Sequence, residues 1–492
     1  MLVILLWPTV RGLLSHRRRV MQRLWPHVFS DPARASYWRN VYDTVKYEGR
    51  SRFDPALSWT AETERRLKMK LDLRIMLWVW ILFLQLDLVR RNINRAVSDN
   101  MVGLSSDYNT DQTVFFVCFL GAELPGNLIS KKLGPDRIIP VCILLWGVAC
   151  CAQSAMTGRG SFLAMRAIIG TLQGGFIPEM VLYLSYFYKW NEPTVHCLLE
   201  MRGLRGWAGW QWLFLIEGLI CIVIGFISAG VMSTSIIQPA LLFRRKDGSN
   251  KWWTEEEEKV LVNRLLRDDP TKGDMNNRQP VGVKEVWAAI TNVDAWLIYI
   301  LGITAWIPFQ PVANYLSLIL RGMDYTVLES NLLAIPGYVL FALNVLIAGW
   351  LSEKFKERSL VVLPFFIALI RYAMLTGING IPYTHSILVG MTSSNAKNVG
   401  MRAVSTAIYN MCYQIGSIVA VNVYREQDKP LLRPRMSDHT ANKALVGLCS
   451  ANIGLFVGMK LFYIWGNKVR QAKWDALPAS EKISGVDIKY VH

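Results

Sequence analysis

Long apolar runs alternate with short polar connectors along most of the chain. They fall at roughly 73–95, 112–130, 138–157, 161–188 and 209–233, then at 294–319, 330–351, 360–393, 403–424 and 444–466. Most approach the ~20 residues that a helix needs to cross ~30 Å of hydrocarbon, and 360–393 has room for two short crossings. The pattern predicts an all-α membrane protein with two helix clusters. Its parts are an N-terminal tail (1–72), a first bundle (73–240), a polar middle loop (241–293), a second bundle (294–466) and a C-terminal tail (467–492). The tail holds an amphipathic charged stretch, ETERRLKMKLDLR. In the loop, Thr254 before four glutamates predicts a helix start, since acidic side chains suit the positive end of the helix dipole.

Composition agrees: 52% of residues are hydrophobic and only 18% charged. The net charge of +17 raises the question of nucleic acid, but its placement answers against that reading. Arg17, Arg18, Arg19, Arg23, Arg65, Arg66, Lys68 and Lys70 crowd the N-terminal tail, and Lys131, Lys132, Arg137, Lys354, Lys356, Arg358, Lys397 and Arg402 sit in short loops. Cytoplasmic loops collect Lys and Arg in this way, so both termini are expected in the cytoplasm. The opening MLVILLW has no preceding basic region and no small-residue cleavage site, and so does not read as a cleaved signal. Eight scattered cysteines form no CxxC or Cys/His cluster, so neither a metal nor a disulfide framework is expected, and no cofactor is implied. There is no Walker A loop and no Ser/His/Asp arrangement, so neither ATP-driven pumping nor an enzyme is expected.

A short repeat relates the two halves. Ser130-Lys131-Lys132-Leu133 follows the second run of the first half, and Ser352-Glu353-Lys354-Phe355 follows the second run of the second. Parallel repeats around a midplane cavity are a secondary-transporter layout. The segments AELPGNLISKKLGPDR, RAIIGTLQGGFIPEMVLYLSYFY, GWAGWQWLFLIEG, RDDPTKGDMNNRQ and YTHSILVGMTSSNAKNVGMRAVSTAIYNMCYQIGSIVAVNVYR, covering most of 60–475 in order, resemble the major facilitator superfamily. More narrowly, they resemble the fungal anion:cation symporter branch of allantoate, pantothenate, nicotinate and other vitamin permeases. The resemblance implies two helical bundles around a central cavity. It also implies a monomer in the lipid of the plasma membrane that moves a small organic anion with protons by alternating access.

Charges at membrane depth are costly, so each one is a candidate for function. Asp87, Arg90 and Arg91 sit at i, i+3 and i+4, where a guanidinium could attract a carboxylate or could reach water at the helix end. The resemblance selects Arg90, because the family's Asp-Arg-x-Asn maps onto Val89-Arg90-Arg91-Asn92. The family's acid is then Val89 here, which leaves Asp87 as a proton-coupling candidate. Arg166, Gly170 and Gln173 share one helical face, with Gly174 beside it, and the resemblance places a titrating acid where Gln173 stands. Arg166 could bind anion or could cap a neighbouring helix. Gln310 and Asn314 share a face and are substrate-binding candidates, as are Tyr409, Asn410 and Gln414; of the i, i+4 pairs Tyr409–Tyr413 and Asn410–Gln414 at least one is expected to face the cavity, since uncompensated amides would not face lipid. His385, the only histidine in an apolar stretch, is a second proton-coupling candidate or a satisfied structural group. Glu123 and Glu217 read first as packing or gating ion-pair partners. Gly126, Lys132, Gly134, Arg137, Gly170 and Gly174 read as structural or gating positions.

Counting crossings exposes a deficit. Starting inside, four runs return the chain inside near Lys189, and the loop beginning Arg244-Arg245-Lys246 resembles an inside loop, yet only 209–233 lies between. An even number of crossings is required, so one span is missing. EPTVHCLL stands where a helix of ~20 residues belongs, with a seam at Pro193–Leu199. Residues 359–393 are likewise short for two crossings, so about ten or eleven of twelve spans are present. One feature disagrees with the count: residues 425–443 fall outside although they carry Arg425, Lys429, Arg433, Arg435 and Lys443. Two readings follow: an organic-anion symporter, or a shortened, transport-dead member that serves as a nutrient receptor or partner subunit, or arises from mis-joined coding segments.

Overall fold

A computed structural model describes residues 28–98, 108–185, 209–240, 252–276, 278–308, 385–396, 398–422 and 440–478, with isolated positions between 242 and 361. Among these residues every regular element is helical. In chain order they are α1 (Pro32–Thr44), α2 (Ala61–Leu71), α3 (Leu77–Ser98), α4 (Tyr108–Leu133), α5 (Pro135–Gln153), α6 (Arg159–Gln173), α7 (Phe176–Ser185) and α8 (Gly209–Val231). After the middle loop come α9 (Glu255–Asp268), α10 (Val283–Ile290), α11 (Val293–Thr304), α12 (His385–Ser394), α13 (Val399–Val421) and α14 (Thr440–Ala476). The seam at Pro193–Leu199 and most of 359–393 lie outside the described residues, as do Gln310 and Asn314.

Among the described residues, five helices are long and apolar enough to cross a membrane, namely Thr110–Leu133, Pro135–Gln153, Phe214–Val231, Val399–Val421 and Val446–Ala476. A sixth counts if α10 and α11, bent by 72° at their junction, form one crossing. The outer faces are what lipid requires. α8 exposes Leu219, Ile220, Val223 and Phe226, α5 exposes Val141, Leu145 and Val148, and α14 exposes Leu461 and Trp465.

The run at 161–188 differs from its expected form, since it breaks at Gly174-Gly175 into α6 and α7. Two successive glycines weaken a helix by about 1 kcal/mol each relative to alanine. Close packing is what they are used for. A Cβ on Gly170 would lie 2.6 Å from the Phe115 carbonyl oxygen, and one on Gly174 would lie 2.6 Å from that of Phe119. α6 therefore rests directly on the backbone of α4, as small residues permit between membrane helices.

Among the described residues the helices bury two apolar clusters. The larger runs through α3, α4, α5 and α7, and the smaller through α11, α12, α13 and α14. α4 and α13 join the halves. They run antiparallel, with Asn127 donating to the Ala403 carbonyl (3.0 Å) near one end and Asn422 donating to Thr113 Oγ1 (3.2 Å) near the other.

The N-terminal segment and the middle loop fold together as a polar layer. Thr254 and Glu257 form a reciprocal capping box at the start of α9, where the sequence predicts a helix. α9 then turns Leu261, Val262 and Leu266 onto Trp38, Tyr42 and Phe53 in the larger cluster. Charges stitch the rim: Arg52 to Glu255 (2.7 Å) and Glu258 (3.1 Å), Lys70 to Glu257 (2.6 Å), and Arg264 to Glu64 (3.2 Å). Lys70 holds Glu257 below the usual carboxylate range against the opposing effect of partial burial. Arg267 stacks on Trp59 (4.4 Å), and Asn263 accepts from the Asp54 amide while donating to the Arg52 carbonyl.

Candidate functional site

The helix contacts gather polar side chains of both halves around Arg90. On α3, Arg90 Nε donates to Gln173 Oε1 of α6 (3.1 Å), and its guanidinium lies 4.7 Å from the Phe119 ring centre and 5.7 Å from that of Phe115. A guanidinium bounded by aromatic faces and one amide is poorly hydrated and keeps its charge, which suits it to a carboxylate. Its field reaches Glu123 on α4 and His385 on α12. Of the predicted substrate residues in the first half, Arg90 and Gln173 are thus in direct contact.

Arg166 is placed differently. Its Nε bonds Asp111 Oδ1 at 2.8 Å, its guanidinium covers Phe115 at 4.6 Å, and both side chains are almost fully buried. This ion pair ties α6 to the start of α4. Asp111 stands one residue before the predicted run 112–130, which is why the sequence reading passed over it. A single acid at the mouth of an apolar run was the available signal.

In the second half, His385 Nδ1 lies 3.2 Å from the Tyr409 hydroxyl, and its ring packs on Tyr413 with centres 4.2 Å apart. Trp306 closes on Tyr413 at 5.1 Å. Asn410 and Gln414 are buried on the same helix, and among the described residues neither amide atom of Asn410 has a hydrogen-bond partner, nor does Gln414 Oε1 or Gln173 Nε2. A buried unsatisfied polar group costs about 1–3 kcal/mol, which makes these amides candidates for contact with a polar ligand. Asp87 lies on α3, but its side chain is outside the described residues.

Glu123 is fully buried, and neither of its oxygens has a hydrogen-bond partner among the described residues. Glu217 sits between α5 and α8, where Cys150 Sγ donates to it at 3.7 Å. Gly126 meets Gly175 at the α4–α7 crossing.

One end of the α4–α13 pair is closed by the polar layer. Gly134, at φ 98°, turns the chain between α4 and α5, a conformation that glycine adopts freely. Asp136 then accepts from Arg278 Nη2 (2.9 Å) and from Thr234 Oγ1 (3.0 Å). Lys131 donates to the Asn276 carbonyl (3.2 Å), whereas the predicted gating residues Lys132 and Arg137 are exposed. From the second half, Arg402 donates to Asp269 Oδ2 (2.8 Å) and to the Ser393 carbonyl (3.1 Å). Burial would raise the Asp269 carboxyl, but Arg402 and the Thr271 hydroxyl outweigh it and hold it below its ordinary value. Burial does push Asp274 up, to about 6, against the pull of the Val399 amide, Arg402 and Lys131. RDDPTKGDMNNRQ therefore bridges the two halves, a role that its composition alone did not reveal.

Residues 203–421 match the model of the Major Facilitator Superfamily. The uncharacterised transporter YIL166C of Saccharomyces cerevisiae is 45% identical over 500 aligned positions, which take in 93% of this chain and 91% of the relative. Transporter YOL163W of the same yeast is 39% identical over 30% of this chain and 98% of its own length. A protein of Agrobacterium vitis named as a tartrate transporter is 26% identical over 66% of this chain and 75% of its own. The chain belongs to the major facilitator superfamily. It is a multi-pass membrane protein of the transporter type.

Proposed function

We propose that the protein binds a small organic anion between its two bundles and moves it with protons by alternating access, Arg90 being the carboxylate's partner. The observation that carries this reading is the position of Arg90. It is one half-buried guanidinium held by Gln173 and Phe119 on one side, with its field reaching His385 on the other. Asn410 and Gln414, with unpartnered amide atoms, supply further donors and acceptors from the second half. Gln310, Asn314 and Tyr409 complete the proposed lining, and Asp87 and His385 remain candidates for proton coupling. Arg166, already neutralised by Asp111, takes a supporting place rather than a first contact. The tartrate relative and the resemblance to ureide and vitamin permeases both favour a carboxylate of a few carbons. The polar layer is proposed as the cytoplasmic closure, with the termini on that side and the plasma membrane as the location.

One observation favours a second reading, a shortened and transport-dead member. The alignment to YIL166C runs over 500 positions although only 93% of this 492-residue chain takes part. Gaps of roughly forty positions therefore open in this chain, and a span takes ~20. Uptake of labelled tartrate, pantothenate, nicotinate and allantoate into cells separates the readings. The chain is compared with a version carrying the relative's residues at Pro193–Leu199. Uptake by the native chain, lost in Arg90→Ala, supports the symporter; uptake only by the restored version supports the shortened reading.

A further inference from the structure

We infer that Glu123 carries the coupled proton, an assignment that rests on the proposed anion symport. Glu123 is fully buried, and neither carboxyl oxygen has a hydrogen-bond partner among the described residues. Most buried polar side chains held for structure are hydrogen-bonded, and this one has no such partner among the described residues. Its place is central. The antiparallel contacts Asn127–Ala403 and Thr113–Asn422 set Glu123 level with Ala407 to Cys412 of α13, where its charge reaches Cys412.

The charged and titratable neighbours are few. From α3 comes Arg90, whose guanidinium lies 4.7 Å from the ring centre of Phe119, one turn before Glu123 on α4; from α12 comes His385 beyond it, and from α13 Cys412. From α7 comes Glu179, whose carboxylate lies against Gly126 one turn along, with Cys142 of α5 beside it. From α6 comes Arg166, already bound to Asp111 of α4 near the far end of that helix. Among the described residues, Arg90 is the cation within reach that also serves the anion. Val89 and Gln173, which stand where the resemblance puts acids, cannot titrate.

The coupling follows from competition. When Glu123 takes a proton from bulk water at the outer mouth, an O–H bond forms and its charge vanishes. Arg90 is then the anion's to neutralise. When Glu123 returns the proton to bulk water on the inner side, its carboxylate competes for Arg90 and displaces the anion. One proton thus accompanies one carboxylate, and neither species alone leaves the site neutral. A half-buried guanidinium facing either two anions or none is the costly state that the cycle avoids.

The test uses the full chain in proteoliposomes, with tartrate, pantothenate, nicotinate and allantoate as probes. In the native protein, anion affinity should fall about tenfold per pH unit once Glu123 ionises. Glu123→Gln, fixed in the neutral form, should bind with little pH dependence and keep anion counterflow, yet lose accumulation driven by a pH gradient. Glu123→Asp should retain gradient-driven accumulation and guards against a folding defect. Gradient-driven accumulation surviving in Glu123→Gln, or unchanged pH dependence of its binding, overturns the assignment. If the native chain binds none of the probes, the symport reading fails by itself, and infrared difference spectra decide about Glu123. A protonated-carboxyl band that appears on acidification and is missing in Glu123→Gln supports a titrating Glu123, and an identical band in both proteins overturns it.

Discussion

The bond from Arg402 to Asp269 joins the second bundle to the polar layer, and Asp269→Asn isolates it. The substitution keeps the Oδ1 atom that accepts from the Thr271 amide (3.0 Å) and hydroxyl (2.6 Å), so the local turn survives. It replaces the oxygen facing Arg402 and removes the charge. Arg402 is 8% exposed and Asp269 25%. Breaking one partner of a fully buried pair costs about 3–5 kcal/mol. Here the partial exposure of Asp269 and the remaining Arg402 bond to the Ser393 carbonyl reduce this, to about 2–3 kcal/mol. Amide hydrogen exchange reads the opening of this layer directly. At 1.4 kcal/mol per factor of ten, exchange across 265–279 should accelerate about 30- to 150-fold. Asp268→Asn is the control, since Asp268 is 39% exposed and 4.0 Å from Lys272, and should change little. Equal exchange in the two variants, or none above the native rate, would refute the claim that this pair holds the halves together.

Other predictions follow from the same packing. Asp274 titrates at about 6 in the folded layer against an ordinary 3.8, so the folded state holds its proton more tightly. Its contribution to stability is therefore complete at low pH and declines as pH rises from about 4 to about 6. Asp274→Asn should flatten thermal stability over that window and raise it at neutral pH. Gly170→Ala drives a Cβ to 2.6 Å from a carbonyl oxygen and should cost about 1–3 kcal/mol in thermal unfolding, whereas Gly160→Ala, with open space around it, should be neutral or stabilising. Asp111→Asn should destabilise by about 3–5 kcal/mol by stranding Arg166, and Asp111→Leu with Arg166→Met should recover much of that loss in the same assay.

Period and length carried most of the architecture. The helix start at Thr254 and the crossings around 112–130, 138–157, 209–233 and 403–424 were legible because each is set by local composition. The break at Gly174-Gly175 was not, since it depends on how close α4 comes. Arg90 with Gln173 could be proposed from helical faces and the resemblance, but the Arg166–Asp111 pair joins residues 55 apart and needed three dimensions. The polar layer was least legible. Arg52, Asn263 and Trp59 look like solvated loop residues until α9 is laid against the N-terminal segment.

Equilibrium binding of labelled tartrate, pantothenate, nicotinate and allantoate to the purified protein tests the anion site without requiring transport. Saturable binding of at least one probe to the native protein, lost in Arg90→Ala while the far-ultraviolet helical signal is unchanged, is the predicted result. Binding of equal affinity in Arg90→Ala would contradict the placement of the anion site at Arg90.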